Sequence, residues 1–352
     1  MNKLLVSGFK VLFFLGIGIG ILWLLYNNLN AKYIEDCATR GIPESACSLI
    51  DKVTTDLKSA NVYWLLVITV CFIISNISRT IRWRQFIRPL GYDTNIWNGF
   101  HAIMLGYFAN LGFPRLGEPV RAGTFAKYEK IAFEKVMGTV VLDRVLDLIF
   151  FALVFLLALF LQFETLWTYI TTHATLDLVS IFNSNWVKVL LLILLAGILA
   201  TWFYRNLIMA SKVFFKLKHL LAGFMDGLSS IRKVESLPWL FFHSVVIWLM
   251  YYLMTYLCFQ SFAPTSHLGP LAGLLVFVFG SLGIIIPTPG GMGSYHALVM
   301  AALALYGVGL DDAFSFAMII FFTINIFGNV LFGVIALLFL PGYNRNYQPV
   351  RT

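Results

Sequence analysis

Residues 284–296 read Ile-Ile-Ile-Pro-Thr-Pro-Gly-Gly-Met-Gly-Ser-Tyr-His, and they lie deep inside an apolar run. Prolines and glycines at such a place break a helix and leave backbone groups unpaired. Hydrocarbon cannot satisfy those groups, so a membrane chain keeps the break only inside protein or beside a water-filled cavity. An earlier stretch, residues 110–121, reads Asn-Leu-Gly-Phe-Pro-Arg-Leu-Gly-Glu-Pro-Val-Arg and echoes it. With Pro114 laid on Pro287, Gly117 falls on Gly290. The chain therefore reads as two broken, facing elements with helices built around them.

Composition supports a membrane setting. Of 352 residues, 59% are hydrophobic and 12% charged, and the mean hydropathy is +0.83. Soluble domains carry about 25% charged residues, so too few polar side chains remain to cover a water-facing surface. Unbroken runs such as Leu148–Leu161 and Val187–Ala200 indicate helices, because a barrel would show short alternating segments. The net charge of +8 is not a nucleic-acid signal, since the basic residues cluster between apolar runs as topology demands.

Reading along the chain gives six spans and two hairpins within one membrane domain. Leu4–Tyr26 is a retained anchor, because no small-x-small cleavage site follows it. Residues 27–60 are polar and lie outside. Asn61–Ser78 is the second span; Arg79, Arg82, Arg84 and Arg88, interleaved with Trp83 and Phe86, mark its cytoplasmic end. Residues 95–132 form a hairpin whose basic flanks both look cytoplasmic, which describes a re-entrant element entering from the inside. Val136–Leu161, Trp186–Tyr204 and Trp239–Phe262 are further spans. Residues 205–237 are basic and inside, with an interfacial amphipathic stretch around Phe214–Phe224. The break at 287–293 divides a second hairpin, 270–307, and Ala313–Leu340 is the last span, with both termini cytoplasmic. Eight full spans would satisfy the same parity. The expected fold is an all-α polytopic membrane protein with six to eight spans, its halves at about 61–161 and 186–340 forming an inverted repeat. In such transporters the site lies near mid-membrane at the broken helices.

Several residues carry two readings each. Arg79 and Arg82 share a helix face and are either positive-inside anchors or a phosphate clamp of guanidinium forks. Glu118 and Arg121 follow the first break: either a capping carboxylate with a local ion pair, or, with Arg115, an anion site at a helix N-terminus. Asp143, Arg144 and Asp147 form either a structural tie holding the first hairpin or a proton-coupling group, since ionisable residues in a span default to a functional hypothesis. Gly290, Gly291 and Gly293 precede Ser294, a good N-cap; the loop is a tight turn or a set of N–H groups facing an anionic headgroup. His296 would lie one turn further in, and is a packed group or part of that site.

Cys71 and Cys258 sit in apolar segments as packing residues. Cys37 and Cys47 share the outside segment, which has no His and no C-x-x-C spacing, so a disulfide is expected there and no metal site.

In order, Arg79-x-x-Arg82-Trp83 ending in Pro89-Leu90-Gly91, Asn110-x-x-x-Pro114-Arg115-x-Gly117-Glu118-x-x-Arg121, Asp143-Arg144-x-x-Asp147 and Pro287-Thr288-Pro289-Gly290-Gly291-Met292-Gly293 resemble the family of the lysylphosphatidylglycerol synthase transmembrane region, also called flippase-like membrane proteins. The resemblance covers nearly the whole chain. The family commonly has Glu at the positions of Asp143 and His296. Larger members append a soluble aminoacyl-transferase domain; this sequence ends a dozen residues after its last span, so the lipid-translocating half is what the resemblance implies. It also implies a substrate-binding role for Asn110.

Three functions follow as expectations. The first is a flippase or scramblase moving an anionic phospholipid or a lipid-linked glycan between leaflets of a bacterial cytoplasmic membrane. The second is a membrane-embedded headgroup transferase, for which Glu118, Asp143 and His296 are the only candidates and no nucleophile–base pair stands out. The third is a non-transporting partner of lipid-synthesis enzymes. The first is preferred, which makes the chain no enzyme. No cofactor is expected, and its partners are membrane lipids, a second copy of the chain or a lipid-synthesis enzyme.

Overall fold

The structure, a computed structural model, describes residues 47–112, 115–173, 234, 236–286 and 288–351, together with part of 20–38. Eleven helices carry the described chain: α1 Leu49–Ser59, α2 Val62–Ile87, α3 Ile96–Gly112, α4 Gly117–Glu129, α5 Phe133–Leu161, α6 Phe163–His173, α7 Leu237–Ser261, α8 Pro270–Ile285, α9 Ser294–Ala304, α10 Leu310–Phe321 and α11 Asn329–Tyr343. Side-chain caps begin several of them. Ser48 accepts from Asp51 N, Asn61 from Tyr63 N, and Ser236 from Trp239 N with Pro238 in the first turn, each filling an orphan donor of a helix start.

This is an all-α membrane protein. Among the described residues four helical stretches are long and apolar enough to cross a bilayer: Val62–Leu90, Phe133–Leu161, Leu237–Ser261 and Leu310–Tyr343. On α5, Leu148, Leu156 and Phe160 are exposed at 62%, 59% and 81%, a face that a water-soluble chain would bury. The expected span Trp186–Tyr204, the amphipathic stretch and most of Leu4–Tyr26 lie outside the described residues.

α2 and α7 form the central antiparallel pair. Asn61 N donates to Ser261 O at one end (2.9 Å), and Arg82 Nη1 donates to Ser244 Oγ further along (3.2 Å). Each is followed by a helical hairpin. α3 and α4 close on Gly106 and Gly117: a Cβ on Gly106 would lie 2.8 Å from Gly117 O. α8 and α9 close on Gly283, where a Cβ would lie 2.7 Å from Tyr295 Cα. α11 packs on α3, α9 on α10, and the short turn Pro289–Gly291 reaches α3. The two broken elements therefore meet.

The ends of the bundle are tied by polar contacts. At one end Lys52 of α1 lies 2.7 Å from Asp312 and 2.9 Å from Asp56, and Cys37 and Cys47 are joined by a disulfide. At the other, Glu129 accepts from Asn98 Nδ2 (2.6 Å) and Tyr347 Oη (2.9 Å). Beside it, Tyr92–Asp93 pairs antiparallel with Val350–Arg351.

Two features depart from the sequence reading by more than a few residues or in kind. α2 runs on to Ile87 rather than ending at Ser78. The arginines that were expected to face the interface include two, Arg79 and Arg82, that are 2% and 0% exposed, and Trp83 and Phe86 are fully buried. The helix continues because carboxylates inside the protein, not water, satisfy those cations. The last span is also not uniform, since Phe322–Gly328 between α10 and α11 is π-helical, a feature that recurs at functional sites.

Candidate functional site

α2, α4 and α5 place a charged cluster within the bundle. Arg79 lies about 26 Å along α2 from Val62 at a rise of about 1.5 Å per residue, and Asp147 about 21 Å along α5 from Phe133. Both positions are well inside their helices. Arg79 Nη1 donates to Asp147 Oδ2 (2.6 Å) and Asp143 Oδ2 (3.2 Å), and Nη2 to Tyr251 Oη (3.1 Å). Arg82 Nη2 donates to Asp143 Oδ1 and Asp147 Oδ1, each at 2.6 Å. Arg121 Nη1 donates to Asp143 Oδ2 (3.0 Å), and its guanidinium stacks over Trp83, 3.9 Å from the ring centroid. Trp83 is held in turn by Thr139, whose hydroxyl accepts from the indole N–H at 3.0 Å. Arg144 lies 2.8 Å from Glu118 and 3.4 Å from Asp147.

Four guanidinium groups, on Arg79, Arg82, Arg121 and Arg144, thus face three carboxylates, on Asp143, Asp147 and Glu118. Among the described residues the cluster keeps one positive charge in excess. It also keeps donors in reserve: Arg79 Nε, Arg144 Nε, and Arg121 Nε and Nη2 are buried with no partner. Uncompensated buried charge is costly, so the cluster is chemically suited to receive an anion.

A cavity of about 700 Å³ opens beside it. Its polar wall is Arg79, Arg115, Glu118, Arg144 and Asp147, with Tyr107, Tyr251 and Asn110. Its apolar wall includes Leu148, Phe151, Trp248, Phe277 and Ile284–Ile286. Leu148, Ile284 and Ile286 line the cavity yet are exposed at 62%, 51% and 45%. The cavity therefore opens at the surface between α5 and the end of α8. Arg115, in a left-handed backbone conformation with φ 64°, adds a second cation at the rim.

The structure brings some of the sequence-predicted residues together here and sends others elsewhere. Arg79, Asn110, Arg115, Glu118, Gly290 and Gly291 line the cavity with Arg144 and Asp147. Asn110 also holds the first break, because its Oδ1 accepts from Gly117 N at 2.7 Å. Arg121, Gly293, Ser294 and His296 are not among the lining residues. Arg121 does not pair locally with Glu118; it points to Asp143 on α5, while Glu118 reaches Arg144, so the packing of α4 on α5 redirects both. Ser294 is not the N-cap of α9, a position held by Gly293 without a side-chain bond. Its hydroxyl instead donates to Gly283 O (2.7 Å) and bonds Thr288 Oγ1 (3.0 Å), clasping the second hairpin. His296 is fully buried, with neither ring nitrogen bonded, and it packs on Phe321 at 4.7 Å. Arg82 and Asp143 stand behind the cavity wall as the inner layer of the cluster. Pro114 and Pro287 lie outside the described residues.

Sequence reasoning missed Tyr107, Tyr251, Asn325 and Asn329, all of which line the cavity. The tyrosine hydroxyls are 3.4 Å apart. The asparagines offered a signal: two amides four residues apart inside an apolar span share one helix face, and they fall in and just after the π-helical stretch.

Comparison with known proteins gives a family and membrane-protein relatives. A family model described as the lysylphosphatidylglycerol synthase TM region matches residues 48–342. UPF0104 membrane protein MJ1595 of Methanocaldococcus jannaschii is 32% identical over 101 residues, covering 28% of this chain and 30% of that protein, so the chain spans less than a third of its length. A UPF0104 membrane protein of Methanothermobacter thermautotrophicus is 25% identical over 272 residues, 71% of this chain and 78% of that one. MJ1078 of Methanocaldococcus jannaschii, also a UPF0104 membrane protein, is 27% identical over 229 residues, 63% of this chain and 91% of that one. No solved structure matches the chain.

Proposed function

Because the chain belongs to the lysylphosphatidylglycerol synthase transmembrane-region family, we propose that it moves an anionic phospholipid, or a lipid-linked glycan, between the leaflets of a cytoplasmic membrane. One observation carries this reading. A single cavity joins an apolar wall that opens at the surface to a cluster of guanidinium groups that outnumber their carboxylates. That combination suits a molecule with acyl chains at one end and a phosphate at the other. Guanidinium forks match phosphate oxygens in pairs.

In this reading α3–α4 and α8–α9 are re-entrant hairpins of an inverted repeat, entering from opposite faces, with α2 and α7 as equivalent first spans. The termini are cytoplasmic, so the tie at Lys52 is outside and the tie at Glu129 inside. The headgroup enters beside Arg115 and Arg144, exchanging with Glu118 and Asp147 as the counter-ions of Arg144, while its chains stay in lipid. Membrane transporters commonly bind substrate at such broken helices. The test is leaflet translocation of a defined anionic lipid by the purified full-length chain in liposomes.

A further inference from the structure

α2 and α7 enclose a second, smaller cavity of about 140 Å³ at the ends away from Asn61 and Ser261. It is lined by Ile81, Arg84, Gln85, Arg88, Ser236 and Trp239 and shares no residue with the first. Gln85 is only 7% exposed, yet neither atom of its amide has a hydrogen-bond partner. Arg84 Nε is likewise buried and unpartnered. Buried polar groups are normally satisfied, and each exception needs an explanation. Here two orphan donors, Gln85 Nε2 and Arg84 Nε, and one orphan acceptor, Gln85 Oε1, belong to one small chamber.

Two arginines bring positive charge to its wall: Arg84 and Arg88, which lie 3.0 Å and 3.8 Å from the carboxylate of Asp93. The N-terminus of the 25-residue helix α7 begins at the chamber, with Ser236 as its cap, and contributes the positive end of its dipole. Trp239, half exposed on the rim, is the residue type that sits at the membrane–water interface.

We propose that this chamber is a second binding site for a phosphate-bearing anion, either the headgroup of a membrane lipid or free phosphate. The phosphate oxygens accept from Gln85 Nε2 and Arg84 Nε, and Gln85 Oε1 accepts from a hydroxyl or water held with the anion. The volume admits one such group, since a water occupies about 30 Å³ in the liquid. A lipid's chains would run past Trp239 into the bilayer. The site does not depend on the translocation reading, because none of its residues lines the large cavity.

The test uses the purified full-length chain in neutral detergent with Ser236→Cys as a local reporter, Cys71 and Cys258 being buried. Its labelling rate by a maleimide is measured with dihexanoylphosphatidate, inorganic phosphate or phosphate-free dihexanoylglycerol. Dihexanoylphosphatidate should slow labelling about tenfold at about ten times its Kd, and dihexanoylglycerol should not. The slowing should vanish in Gln85→Leu combined with Arg84→Gln. Gln85→Leu alone should fold and melt no lower than the parent, because it replaces an orphan amide with an apolar group. Equal slowing by inorganic phosphate assigns the site to the free anion; slowing by the phosphatidate alone assigns it to lipid. Unchanged labelling with both phosphate probes, or slowing that survives in the double variant, overturns the site.

Discussion

Arg144 Nη2 lies 2.8 Å from Glu118 Oε1 while its Nη1 lies 3.4 Å from Asp147 Oδ2. One cation on α5 therefore bridges the first hairpin and its own helix at the wall of the cavity. Arg82 is sealed behind its carboxylates and Arg79, though it lines the cavity, is only 2% exposed, whereas the Arg144 side chain is 35% exposed. Of the four arginines in the cluster Arg144 is the most exposed, and so the one the proposed headgroup would meet first.

Arg144→Gln should therefore impair transport more than folding. A hydrogen bond to a charged group is worth about 1.5–3 kcal/mol, so the translocation rate should fall about 10- to 100-fold. Partly exposed ion pairs contribute only about 0–1 kcal/mol to stability, so the melting temperature in detergent should change little. Arg144→Lys should rescue in part, because it keeps the charge and loses the fork. Full activity of Arg144→Gln would remove this residue from the site.

Asp143 should behave in the opposite way. It is fully buried and receives hydrogen bonds from Arg79, Arg82 and Arg121. Asp143→Asn leaves those cations short of a counter-charge, and breaking a buried pair costs about 3–5 kcal/mol. Thermal unfolding in detergent should show a large loss for Asn and a smaller one for Asp143→Glu, which preserves the charge. Equal melting of wild type and Asp143→Asn would mean that the cluster is not the brace described.

The hairpins offer an independent check. Gly283→Ala would place a methyl 2.7 Å from Tyr295 Cα and 2.9 Å from Ser294 O, contacts with backbone that cannot swing aside. Overpacking of this kind costs about 1–3 kcal/mol. Gly106→Ala should do the same to the first hairpin, against Gly117 O at 2.8 Å. By contrast Gly342, with open space around its Cβ direction, should accept Ala without loss. Comparable melting of all three variants would contradict the close approach.

How far the sequence could be read depended on the range of the forces involved. The apolar runs, the two Pro-Gly breaks and the order helix, hairpin, helix are local patterns, and they were legible. Partner choice was not. Arg79 and Arg82, three apart at the end of an apolar run, look the same whether that face meets water or the carboxylates of Asp143 and Asp147, some 61 to 68 positions away. Glu118 and Arg121 have the spacing of a local pair, and only the packing of α4 on α5 redirects one to Arg144 and the other to Asp143. Ser294 had the composition of a cap but found Gly283 O across the hairpin instead. Tyr107 and Tyr251 are single polar residues in apolar helices, which periodicity cannot tell from packing residues.

Sidedness can be measured directly. Ser266 lies at the bundle end that holds Asn61 and Ser261, and Asp93 lies at the opposite end beside Val350. In intact cells Ser266→Cys should react with an impermeant thiol reagent and Asp93→Cys should not, as the proposed orientation, with the Cys37–Cys47 disulfide outside, requires. The reverse pattern would invert the proposed orientation.

The central claim is leaflet translocation. Purified full-length protein should be reconstituted into liposomes, and the movement of an anionic phospholipid between leaflets followed against phosphatidylcholine and against protein-free liposomes. The account predicts that the anionic lipid crosses about tenfold or more faster than in protein-free liposomes, equivalent to about 1.4 kcal/mol off the barrier, and faster than phosphatidylcholine. Anionic-lipid movement no faster than in protein-free liposomes, from protein that is folded and correctly inserted, would contradict it.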